Sequence, residues 1–213
     1  MNGNKSLALS VISVLCLLFA ILSAIQFGLY GFQMAEARTE TFTDSNNNNL
    51  KVSIEAPDDW NSGTASASIH NLNWHAYGLA TSNDDLSAFF VIVNLPSLSN
   101  IVTPFGKTSF GPATNLTSLL LQYNVTLNSV HEVTIKGQPE RAYSISVTPN
   151  QLNHLQSFLP SIDRSFDAVL IPIKQQGRLY MIAYAADTGK MGDFHDTFQN
   201  ILNSVSFSPI IGA

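Results

Sequence analysis

The chain has 213 residues, of which 45% are apolar and 12% charged, and its formal net charge is -5. The length suits one domain plus a targeting segment, and the apolar share is enough for a packed core. The acidic balance and the lack of any run of Lys or Arg exclude a surface that tracks nucleic-acid phosphates, and the single cysteine, Cys16, excludes an intramolecular disulfide.

The first element is apolar. Residues Leu7 to Gly31 carry no charge, and Gln26 is their only strongly polar side chain. As a helix they reach roughly 37 Å, enough to cross a hydrocarbon layer of about 30 Å. The apolar core of a secretory signal is shorter, about 7–15 residues, so the length favours an uncleaved single-pass anchor. Lys5 and the amino terminus precede the run, and the acids Glu36 and Glu40 flank Arg38 beyond it. The positive-inside bias therefore places the amino terminus in the cytoplasm and the bulk of the chain outside. The alternative is cleavage after Ala37, at the small-x-small triplet Ala35-Glu36-Ala37, which would free a secreted protein. Leu15 before Cys16, and the apolar run after it, do not fit a lipid-modified cysteine.

The expected division is residues 1–37 as cytoplasmic tip and anchor, 38–49 as a polar linker containing four consecutive asparagines, and 50–209 as the folded domain. Within that domain, Leu50, Val52, Ile54 and Ala56 alternate with polar residues, which predicts a half-buried strand ending at Pro57-Asp58-Asp59. Thr64–Ile69 and Trp74–Ala80 read as a hairpin around the sequence HNLN, and the nearly continuous apolar run Ala88–Leu95 as a central strand. Pro96–Pro112 is loop-like. Asn115–Tyr123 places Leu116, Leu119, Leu120 and Tyr123 at helical spacing. Thr126–Ile135 and Glu140–Val147 read as strands joined at Lys136-Gly137-Gln138-Pro139. Pro149–Asp163 is irregular, and Phe166–Ile173 with Arg178–Ala185 forms a second hairpin. The amphipathic stretch Gly192–Ser204, with Phe194, Phe198, Ile201, Leu202 and Val205 on one stripe, predicts a final helix capped by Asp187 or Asp193. Strands in succession with few helices imply an α+β domain, its helices packed on a mostly antiparallel sheet.

Three segments resemble the PsbP-like domain family. VSIEAPDDW (Val52–Trp60) is similar to its opening of a strand followed by Pro and Trp. VTIKGQPERAYSISV (Val133–Val147) is similar to its strand, glycine and small-residue strand. Gly177–Phe207 looks like its ending: a hairpin strand, a short loop, a helix and a final Ser-x-Phe. The resemblance spans about residues 50–207 and implies an antiparallel sheet sandwiched by helices. It also implies a binding or assembly role, since the family includes photosystem accessory subunits and a Ran-binding import factor. The chain departs from the photosystem members in its apolar amino terminus and in an insertion around Pro149–Asp163.

Candidate site residues are sparse. His70 and His75 flank a turn, and Asp84 or Asp85 could join them around a metal, but their spacing matches no zinc pattern and solvated turn residues are the plainer reading. Gly106-Lys107-Thr108 lacks the upstream glycine of a phosphate loop. The pairs Asp58-Asp59 and Asp84-Asp85 lack the alternating oxygen ligands of a calcium loop. No G-x-S-x-G elbow is present. Trp60, Trp74 and Tyr77 could line a ligand groove, although aromatics at strand spacing usually fill cores. Asn115 and Asn124 head glycosylation sequons, usable only outside the cell. The sequence thus points to an extracytoplasmic binding or accessory module with a protein partner in the membrane or envelope, no cofactor and no catalytic activity. The alternatives are a hydrolase whose site is assembled only by the fold, and a structural cell-envelope protein.

Overall fold

The computed structural model describes residues 38–43, 50–69, 72–81, 87–95, 125–149, 164–175 and 178–209. The apolar amino terminus, the Ala35-Glu36-Ala37 triplet, the loop expected over 96–112 and the helix expected over 115–123 lie outside them. Among the described residues no helix is long and apolar enough to cross a membrane.

Ten strands and one helix make up the described chain. The strands are β1 (Arg38–Thr43), β2 (Leu50–Ala56), β3 (Asn61–Ile69), β4 (Leu72–Ala80), β5 (Ala88–Leu95), β6 (Thr126–Ile135), β7 (Gln138–Val147), β8 (Phe166–Gln175), β9 (Arg178–Asp187) and β10 (Ser206–Pro209). The helix α1 (His195–Ser204) joins β9 to β10. Seven strands form one sheet in the order β3-β4-β5-β9-β8-β7-β6, and β1-β2-β10 form a second. Every pairing is antiparallel. The described architecture is therefore mostly antiparallel sheet with a single helix.

The core lies between one face of the large sheet and a layer made by the small sheet and α1. The large sheet contributes Tyr77, Leu79, Phe90, Ile92, Val169, Ile171, Tyr180 and Ile182, and the covering layer contributes Val52, Ile54, Phe198, Ile201 and Leu202. Aromatic contacts join the layers: Phe42 to Tyr77 at 4.8 Å and Tyr180 to Phe207 at 5.0 Å for the small sheet, and Tyr184 to Phe198 at 4.7 Å for the helix. The opposite face of the large sheet is buried too, through Phe89, Val91, Val93, Leu170, Met181, Tyr143 and Ile145. Burial on both faces is why β5 reads as a continuous apolar run instead of an alternating one.

Two strands escape the expectations from sequence. β1 occupies the first half of the expected linker; its Thr and Glu residues gave little apolar signal, and only Phe42 turns inward to the core. β10 is four residues long and pairs with β2 from Ser206 to Pro209. The turn between β6 and β7 is also tighter than expected. Lys136 (φ 49°) and Gly137 (φ 78°) form a two-residue turn, and Gln138 and Pro139 already belong to β7. Positive φ at both positions is the geometry that matches strand twist in such turns, and glycine adopts it without steric cost.

The expected aspartate cap is corrected as well. α1 starts after Phe194, which makes no side-chain capping bond. Asp187 is the last residue of β9, and Asp193 lies in the turns leading to the helix. Asp196 in the first turn supplies the negative charge that a helix amino terminus favours.

Proline shapes the far side of the large sheet. β7 pairs with β8 only where Tyr143–Val147 lie opposite Leu170–Phe166, whereas β8 keeps its ladder with β9 as far as Gln175. Pro172 follows closely on the last β7 pairing and has no N–H to donate, so the ladder on that side stops there. The distal halves of β6 and β7 continue as a two-stranded ribbon whose Val133 and Ile135 pack against the core.

Candidate functional site

Three groups of side chains stand out as the fold assembles them. The first is aromatic. Trp60 meets Phe198 edge-on at 5.9 Å and Phe194 at 6.1 Å, while Tyr184 stacks on Phe90 at 6.4 Å. Trp60 and Tyr77 are each 4% exposed and belong to the core cluster. The Tyr77 hydroxyl donates to the carbonyl of Thr43 at 2.7 Å, so its one polar atom ties the two sheets together. Burial raises the Tyr184 phenol above its ordinary pKa, which keeps it neutral.

The second group is polar and gathers at one end of the large sheet. Asn128 Nδ2 donates to Ser146 Oγ at 2.8 Å, and Ser146 Oγ donates to Asp167 Oδ1 at 2.7 Å. The Gly189 backbone N–H donates to Asp167 Oδ2 at 3.1 Å. One carboxylate thus links β6, β7 and β8 to the turn after β9. Beside it, Asp187 Oδ2 lies 3.7 Å from Arg164 and 3.6 Å from Lys190. Asp187 Oδ1 is buried without a hydrogen bond, and the two cations offset that cost. Thr81 acts similarly between β4 and β5, its hydroxyl oxygen accepting from the backbone N–H of Ser87 at 3.0 Å. These groups fasten turns to strands. The partners along the Asn128-Ser146-Asp167-Gly189 chain are 18 to 22 residues apart in sequence, and no local motif announces them.

The third group is the exposed β6–β7 ribbon. Along β6 only Leu127, Val133 and Ile135 are partly buried; the other seven positions are exposed. Ser129 Oγ and His131 Nδ1 lie 3.5 Å apart on it, and Val130 is the one exposed large hydrophobic side chain among the described residues, at 48%. Glu140 on β7 has its pKa raised by partial burial.

The residues singled out from sequence are scattered among these groups. His75 is half-buried on β4, opposite Ser66 and Asn94. His70, Asp84, Asp85, Asn115 and Asn124, and the side chain of Trp74, lie outside what is described. Among the described residues no group of three or more His, Cys, Asp or Glu is placed to hold a metal ion.

No family model matches the sequence, and no curated protein is similar to it. Similar solved structures exist at low identity. Cyanobacterial PsbP from Synechocystis is 11% identical with a TM-score of 0.41, over 82% of this chain and 95% of that one. The Ran-binding protein Mog1p of Saccharomyces cerevisiae is 8% identical with a TM-score of 0.38, over 80% of this chain and 96% of that one. A protein from Bacteroides thetaiotaomicron is 10% identical with a TM-score of 0.41; the match covers 76% of this chain but only 46% of that protein. The neighbours thus include both kinds of protein named by the sequence resemblance. Likeness at this level says nothing of what the chain binds.

Proposed function

We propose that the chain is a membrane-tethered, extracytoplasmic binding or accessory module with a protein partner and no catalytic activity of its own. The observation that carries this reading is how the polar groups are used. Asp167, Ser146 and Thr81 spend their side-chain oxygens on the fold itself, and Asp187 holds Arg164 and Lys190 through one oxygen, while a long ribbon is left exposed. A surface of that kind suits recognition. The tether rests on the length of the apolar run Leu7–Gly31, and the outward orientation on Lys5 preceding it. Outside the cell, Asn115 and Asn124 become glycosylation acceptors.

Affinity isolation of the intact chain from detergent-solubilised membranes is the test. The expected result is a stoichiometric protein partner that co-purifies. Recovery of none, together with turnover of a substrate by the purified chain, would overturn the reading. Mass spectrometry of the native amino terminus checks the tether: a start upstream of Leu7 supports it, and a start at Arg38 means the protein is released.

A further inference from the structure

Among the described strands β6 ends the large sheet, and none of them lies beside its outer row of backbone N–H and C=O groups. We infer that this edge pairs with β6 of a second copy of the chain, antiparallel and centred on Val130, to join two seven-stranded sheets into one. The argument starts from Val130, whose exposure sets it apart from every other large hydrophobic side chain described. An antiparallel two-fold pairing places one residue opposite its own mate and keeps matching sheet faces together. Centred on Val130, it buries the exposed valines against each other.

The neighbouring positions favour the same centre. Ser129 then lies opposite His131 of the other copy, and a hydroxyl and an imidazole make a compatible pair, as they do at 3.5 Å within the strand. Glu132 is the only carboxylate between Thr126 and Thr134, and no Lys or Arg lies there. In this register the two Glu132 residues are about 13 Å apart along the strands, beyond the screening length of about 8 Å. Centring on Glu132 instead would set two acids face to face, and centring on His131 would set Val130 against Glu132. The irregularity between Leu127 and Ser129 bounds the pairing on one side, and a two-fold contact closes on itself, so the product is a discrete dimer. On the opposite edge, β3, the side chains described over Asn61–Thr64 offer no comparable apolar centre: Asn61, Ser62 and Gly63 are half-buried and Thr64 is exposed.

Cysteine cross-linking of the full-length chain tests this directly. Cys16→Ser removes the native thiol, and Val130→Cys, His131→Cys and Thr64→Cys are then compared under mild oxidation. Directly opposed residues in an antiparallel ladder have Cα atoms about 4.5–5.5 Å apart, within disulfide reach. The expected result is a covalent dimer of V130C at least about tenfold faster than T64C on the other edge, with H131C slower than V130C. In the native-cysteine chain, Val130→Glu sets like charges opposite each other and should reduce amine cross-linked dimer. Equal rates at positions 130 and 64, or V130C linking only to a different protein, would overturn the pairing. All the substituted strand positions are exposed, so loss of folding does not confuse the outcome.

Discussion

β5 and β6 belong to the same sheet and have similar lengths, yet they meet opposite environments. From Ala88 to Asn94 every residue of β5 is buried, with β4 and β9 on its flanks and packing on both faces. Among the described strands β6 has only β7 beside it, and it is exposed at seven of ten positions. Their sequences, AFFVIVNL and TLNSVHEVTI, differ accordingly. What an apolar run in a strand reports is coverage of both faces, whereas β-branched residues alone report only that a strand forms.

Substitutions should separate the two strands by several kcal/mol in chemical denaturation. Phe90→Ala in β5 removes a fully buried ring and should cost about 3–5 kcal/mol. The polar end of the sheet should fall between the extremes: Asp167→Ala strands the Ser146 hydroxyl and the Gly189 N–H, costing about 2 kcal/mol. In β6, Val130→Ala should change the stability of the single chain by less than about 0.5 kcal/mol. A large loss there would mean that β6 is covered after all.

The smallest effect concerns Glu140, on the strand behind β6. Burial raises its folded pKa, so the folded state favours the protonated acid. The stabilising influence of that proton is present below the ordinary carboxylate range and is lost as pH rises through the raised value. Glu140→Gln should therefore flatten the pH dependence in that window and stabilise slightly at neutral pH, by less than about 0.5 kcal/mol. Thermal melts of both proteins at pH 4 and pH 7 check the sign.

Much of the fold was legible because burial writes itself into local pattern. The alternation in β2, the apolar run of β5 and the stripe of α1 all fell at their observed positions. β1 and β10 were not legible, since one offers a single inward aromatic and the other is too short for a period to show. The candidate site was less legible still. Trp60 and Tyr77 were visible as aromatics, but nothing local says that one tyrosine hydroxyl reaches the Thr43 carbonyl 34 residues away. The Asn128-Ser146-Asp167-Gly189 chain depends on strand order, which residue spacing does not encode.

The small sheet has one mechanical consequence. β1 and β10 both run antiparallel to β2, and so parallel to each other, with Arg38 opposite Ala56 at one end and Pro209 opposite Leu50 at the other. The chain therefore enters and leaves this sheet at opposite ends of β2, about 20 Å apart along the strands. A force drawing those two points apart acts along the strands and loads the ladder bonds together, in shear. Strands peeled from a shared end would instead release their bonds one at a time under a smaller load.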